Sequence, residues 1–129
     1  MDLHRYDIIE AEIKIKLTSG SVQNKRRPYV IVGNNKGTKV SPVVIAMPLT
    51  SMIKKANLPT HGCIEADSQN GLKKYSMILG EQLFTLDKKT EIIRKIGSVT
   101  DKEQKAMIDK VCLNTLFYGE NIDWKELVG

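Results

Sequence analysis

Only one stretch of this chain has the periodicity of a long helix, and it comes late. Thr100 and Glu103 are spaced as a capping box, and Ala106, Met107, Ile108, Val111, Leu113 and Leu116 recur at helical intervals. Almost everything before them is a succession of short β-forming runs cut by Gly, Pro and Asn. Residues 6 to 17 alternate apolar and polar side chains and predict a first strand. Residues 18 to 21 form a turn cluster, and the polar, basic residues 22 to 26 read as a long exposed loop. Pro28 pushes Arg27 into an extended conformation at the mouth of a second strand, Tyr29 to Val32.

The runs that follow are read the same way. Residues 33 to 37 have the composition of a tight connection, and residues 41 to 49 are a strand in which Pro48, lacking a donor, suggests an edge position or a bulge. Ile53 to Ala56 form a second basic loop, Leu58 to His61 lead into a short strand, and residues 76 to 86 complete the β-rich part. A shorter helix is expected over 88 to 94, and Gly119 is expected to end the main helix before a tail of 118–129. At 129 residues the chain is most simply one domain, 1–129, able to bury roughly two-thirds of its unfolded surface. The expected class is mainly β with a C-terminal α-helix, the strands forming a compact barrel on which the helix packs.

Charge narrows the function. From Ile13 to Ile64 there is no Asp or Glu, against nine Lys and Arg and one His, and all 15 acidic residues lie outside that interval. Such a field attracts phosphate, so a nucleic acid or an acidic protein is the expected partner. Cys63 and Cys112 lack the paired spacing of a zinc site and read as two buried thiols in a reducing compartment. The N-terminal MDLHRYD has no apolar leader core and no run approaches the ~20 apolar residues of a membrane span, so a cytoplasmic location without membrane contact is expected. Walker, Rossmann, His-Glu-x-x-His and Gly-x-Ser-x-Gly patterns are all missing, as is a carboxylate cluster spaced for two metal ions. No metal or cofactor is expected. The residues left to carry chemistry are polar ones at strand ends: Gln23, Asn24, Lys25, Arg26 and Arg27, then Thr50 and Ser51, then Glu81 and Gln82.

Several blocks resemble a known family. QNKRRPYVIVGNN (23–35), PLTS (48–51), LPTH (58–61) and EQLFTLDK (81–88) are similar, in order and spacing, to the blocks of MazF/PemK toxins, as are RYDI (5–8) and KIGSVTD (95–101). The resemblance covers roughly residues 5 to 117. It implies an SH3-like β-barrel, a homodimer, an acidic antitoxin partner, and metal-independent cleavage of single-stranded RNA. It also implies that Arg27 and Thr50 are the catalytic pair.

The chemistry suits that assignment. When a ribose 2′-hydroxyl attacks the adjacent phosphate, charge builds on the equatorial oxygens, where a guanidinium can offer two parallel hydrogen bonds and Thr50 another donor. The products are a 2′,3′-cyclic phosphate and a 5′-hydroxyl. Arg27 stays protonated and is a poor base. Glu81 is the carboxylate candidate for that role, with an ion-pair partner holding an arginine as the alternative. His61 has a suitable intrinsic pKa, but at a strand start a hydrogen-bonding role competes. Lys25, Arg26, Lys54 and Lys55 are expected to contact phosphates. Ser51 is placed with them at the RNA, while Gln23, Asn24, Asn34 and Gln82 either read base edges or stabilise turns. Val22 stands where the family often has glutamate, and Phe84 where it often has arginine, changes expected to alter sequence preference before activity. Two other functions stay open at this level: a gyrase-poisoning toxin of the related CcdB type and a passive single-stranded nucleic-acid binder.

Overall fold

The computed structural model describes residues 1–16 and 22–128, with side chains described outside 15–24. The order is β1 (Asp7–Lys16), β2 (Val22–Ile31), α1 (Asn35–Val40), β3 (Val43–Thr50), β4 (His61–Ile64), β5 (Ser76–Leu79), β6 (Phe84–Asp87), β7 (Ile92–Ser98), α2 (Lys102–Phe117) and α3 (Trp124–Val128). All strand pairings are antiparallel. The ladder runs β4-β5-β3-β2-β1-β7, with β6 on the same edge of β3 as β5.

Alternation along the strands divides the apolar residues between two cores. Ile9, Ala11, Ile13, Tyr29, Ile31, Val44, Ala46, Leu86 and Ile92 share one cluster. Leu86 of β6 and Ile92 of β7 sit on strands at opposite ends of the β6-β3-β2-β1-β7 series, so the sheet must curl into a barrel-like wall around this core. No ring of strand pairing closes it among the described residues. The opposite faces, with Ile8, Val30, Met47, Leu49, Ile64 and Ile78, pack against Ile108 and Val111 of α2. The helix comes very close: a Cβ at Gly62 of β4 would lie 2.7 Å from both Met107 Sδ and Val111 Cγ2.

Several expectations are corrected. Residues 22 to 26 are not a loop but half of β2, because ten-residue β1 supplies a partner for each of them, from Lys16↔Val22 to Glu12↔Arg26. The turn expected at 18–21 lies outside the described residues. Residues 92 to 98 are a strand where a helix over 88–94 was expected; β1 would otherwise have a bare edge, and β-branched Ile92 and Ile93 suit pairing. The supposed tight connection contains α1, capped by Asn34 Oδ1 accepting from the Gly37 N–H at 2.7 Å. The run 76–86 is divided by a turn into β5 and β6. Helix α2 is capped by Asp101, whose carboxylate accepts from the Gln104 N–H, one position later than the expected Thr100. Only Ile108 and Val111 are buried, while Leu113 and Leu116 on the same helix are exposed. Cys63 and Cys112 are free and only partly buried. Gly119 does end the helix, at φ +75°, and Trp124 of α3 returns edge-on to Phe117 at 5.1 Å.

Pro48 lies on an inner strand, but at a locally unpaired stretch of its edge. Ile45 O accepts from Val32 N, so odd-numbered residues of β3 direct their backbone groups to β2 and Pro48 faces the other way. There β6 ends opposite Ala46 and β5 begins opposite Leu49. The residue with no N–H occupies the gap between two partner strands, where none is required.

Candidate active site

The middle of β2 and the end of β3 frame an open groove of about 580 Å³. Arg27 and Thr50 both line it, and strand pairing explains why. The register of β2 with β3 is Tyr29↔Pro48; continued by two residues it sets Arg27 opposite Thr50, both on the face that carries Ala11 and Tyr29. Pro28 favours the extended conformation of Arg27 that this requires.

The inner end of the Arg27 guanidinium is buried. Arg27 Nε and Tyr29 Oη are both buried and have no hydrogen-bond partner among the described residues, and Arg27 makes no ion pair among them. Its charge is therefore not neutralised by a neighbouring carboxylate. Burial pushes the Tyr29 phenol up, although the nearby Arg27 charge pulls it down. Thr50 Oγ1 accepts from the Met52 N–H at 3.1 Å, which orients the hydroxyl and leaves its proton to donate elsewhere.

Of the other sequence candidates, Lys25, Arg26 and Ser51 line the same groove. Gln23 and Asn24 belong to β2, with side chains outside the described residues. The rest are elsewhere. Asn34 caps α1, and Gln82 is exposed in the β5–β6 turn with its N–H donating to Leu79 O. Lys54 and Lys55 are exposed on the β3–β4 connection and line no part of the groove.

Glu81 is also outside it. One carboxylate oxygen lies 2.8 Å from His61 Nε2, and the other accepts from Thr60 Oγ1 at 3.0 Å. His61 Nδ1 lies 2.9 Å from Lys55 O, so both ring nitrogens face acceptors. Burial alone would lower the His61 pKa, but the bonds to Glu81 and Lys55 O outweigh it and raise the value. The Glu81 carboxyl is held low by His61 and Thr60 against its own desolvation. The unit ties the β3–β4 connection to the β5–β6 turn. Of the two roles open to Glu81, ion-pair partner matches this geometry, with His61 in place of an arginine.

Sequence reasoning missed three cations and a carboxylate. Lys73 and Lys74 enter from the β4–β5 connection, and Arg94 enters from β7 with Glu10 of β1 beside it. Among the described residues, six basic ones thus line the groove against one acidic one. No local motif marks Arg94. Its place follows from the pairing Glu10↔Arg94, visible only once β7 is known to be a strand.

Residues 4–114 match the family model of the PemK-like, MazF-like toxin of type II toxin-antitoxin systems. The endoribonuclease MazF of Staphylococcus saprophyticus subsp. saprophyticus is 41% identical over 103 residues, covering 80% of this chain and 82% of that protein. A solved endoribonuclease in complex with its cognate antitoxin from a mycobacterial species superposes with a TM-score of 0.65 at 21% identity, covering 88% of this chain and 94% of the other. MazE-MazF from Deinococcus radiodurans gives 0.58 at 14%, covering 89% and 93%, so both structures share the fold. With a family match across most of its length, the chain belongs to the PemK-like, MazF-like toxins of type II toxin-antitoxin systems.

Proposed function

We propose that this protein is an endoribonuclease toxin that cleaves single-stranded RNA at the groove between β2 and β3, without a metal ion. The observation that carries the reading is the cross-strand placement of Arg27 opposite Thr50 in a groove lined by five further cations. The substrate's 2′-hydroxyl gives up its proton to water as its oxygen attacks the neighbouring phosphorus, the bond to the 5′-oxygen breaks, and that oxygen takes up a proton from water. The products are a 2′,3′-cyclic phosphate and a 5′-hydroxyl. Arg27 and the Thr50 hydroxyl donate to the non-bridging oxygens as their charge rises, in a site where Arg27 has no competing carboxylate. Lys25 and Arg26 hold flanking phosphates, and Ser51 lies beside the reacting one. Glu81, tied to His61, keeps the β3–β4 connection in place and takes no proton from the substrate.

A homodimer and an antitoxin with an acidic segment complete the assembly, as the family and its antitoxin-bound relatives suggest. The predominantly basic groove suits an anionic partner whether it is RNA or peptide. The test is cleavage of a mixed-sequence RNA in excess EDTA with mapping of the ends. Arg27→Ala is expected to lower the rate on the order of 10²- to 10³-fold, the usual loss for one such donor. Full activity in that variant, or products with 5′-phosphates, would refute the mechanism.

A further inference from the structure

We propose that Arg94 binds a phosphate of the RNA backbone flanking the scissile one, and that Glu10 holds Arg94 ready while competing with that phosphate for it. The proposal rests on reading the groove as an RNA-cleaving site and adds a specific pair of residues to it.

The register places the pair. Glu10 stands opposite Pro28 in the β1–β2 ladder and opposite Arg94 in the β1–β7 ladder, so three groove-lining residues lie in line across β2, β1 and β7. Two inter-strand steps separate the backbone of Arg94 from β2 by about 10 Å, and Arg94 shares the sheet face of Glu10 and Pro28 while Arg27 takes the opposite one, so the two arginines reach the groove at separate points. Leu72 and Ile96 contribute apolar surface there, and Lys73 and Lys74 lie on the same lining. The arrangement fits a chain of successive phosphates better than a single anion.

The contact between the partners is suited to exchange. Arg94 Nε lies 3.2 Å from Glu10 Oε1, while the arginine side chain is 57% exposed and the carboxylate 23%. A guanidinium has five N–H donors, so one contact through Nε leaves the terminal nitrogens for a second anion. An exposed ion pair is weakly bound and screened by salt, and an arriving phosphate can displace it. Glu10 is the one carboxylate lining the groove among the described residues, and in the absence of RNA it offsets the repulsion among Arg26, Lys73, Lys74 and Arg94. The same charge lowers the affinity for RNA.

The test uses 2′-O-methyl RNA of a cleaved sequence, which cannot supply the attacking hydroxyl, alongside cleavage kinetics on the unmodified strand. Arg94→Ala is expected to weaken binding roughly 5- to 10-fold and to reduce the steepness of the log affinity–log salt plot by about 0.7, one single-strand phosphate contact. KM should rise by more than kcat falls, and Arg94→Lys should recover part of the loss. Glu10→Gln, nearly isosteric, should tighten binding several-fold, and the gain should vanish when Arg94→Ala is added. If Arg94→Ala disturbs the β1–β7 edge, Arg94→Gln and Glu10→Gln carry the same comparison. An unchanged salt slope, a loss confined to kcat, or weaker binding in Glu10→Gln overturns the proposal. Wild-type protein that binds through Arg94 yet leaves RNA intact would sink the nuclease reading alone. Wild-type cleavage with indifferent Arg94 and Glu10 variants would sink this inference alone.

Discussion

Both ring nitrogens of His61 face acceptors, a carbonyl and a carboxylate, so the protonated imidazolium satisfies the site best. The sign of the pH effect follows. His61 has a folded-state pKa raised above its ordinary 6.5, so its contribution is fully present below 6.5 and is lost as pH rises through the raised value. Glu81 is lowered from 4.5, so its contribution is present above 4.5 and is lost as pH falls through the lower value. Both are complete between about 4.5 and 6.5. The Tm difference between wild type and Glu81→Gln should therefore be largest in that window and shrink above it as His61 loses its proton. A difference that grew steadily towards alkaline pH would show that Glu81 acts through something other than the imidazolium.

At the level of elements, the approach of α2 to β4 leaves no space for a side chain at position 62. Met107 can swing aside, but Val111 is buried in the second core and cannot. Gly62→Ala should cost about 1–3 kcal/mol, the usual penalty of overpacking, seen as a lower urea midpoint with an unchanged m-value. Such packing is not local information, and the same is true of the elements that sequence reading missed. Tyr29 to Val32 and the strand before Thr50 announce themselves through β-branched runs, and α2 through its periodicity. The first half of β2 is polar and becomes a strand because β1 is long enough to pair with it. β7 likewise completes an edge that its own residues do not advertise. The site divides in the same way. Arg27, Thr50 and Ser51 were legible because family-like blocks surround them, whereas Lys73, Lys74, Arg94 and Glu10 reach the groove through pairings and a connection that no motif encodes. Lys54, Lys55 and Glu81 lie outside the groove because closeness in sequence to Thr50, or to a familiar block, does not bring them to it.

Across the whole molecule, the basic half of the chain does not supply the groove alone. Lys25, Arg26 and Arg27 come from the acid-free interval, but Lys73, Lys74 and Arg94 come from the half whose charges nearly cancel. A balanced segment thus contributes a one-signed surface, because folding sorts its acids elsewhere. The curled sheet that does this sorting also contains a seam. At Pro48 the shared edge of β3 passes from β6 to β5 without a ladder bond, so the β4–β5 hairpin is attached to β3 only through Leu49 and Thr50 on that edge. Local opening can start there without breaking the β1–β2–β3 ladder. Amide hydrogens of β4 and β5 should then exchange with solvent deuterium as a separate, faster cooperative unit than those of β1 and β2 under native conditions. Because the seam adjoins Thr50, the groove and the β4–β5 hairpin share one boundary. A ligand that clamps that hairpin to β3 would slow exchange there and stiffen the groove together.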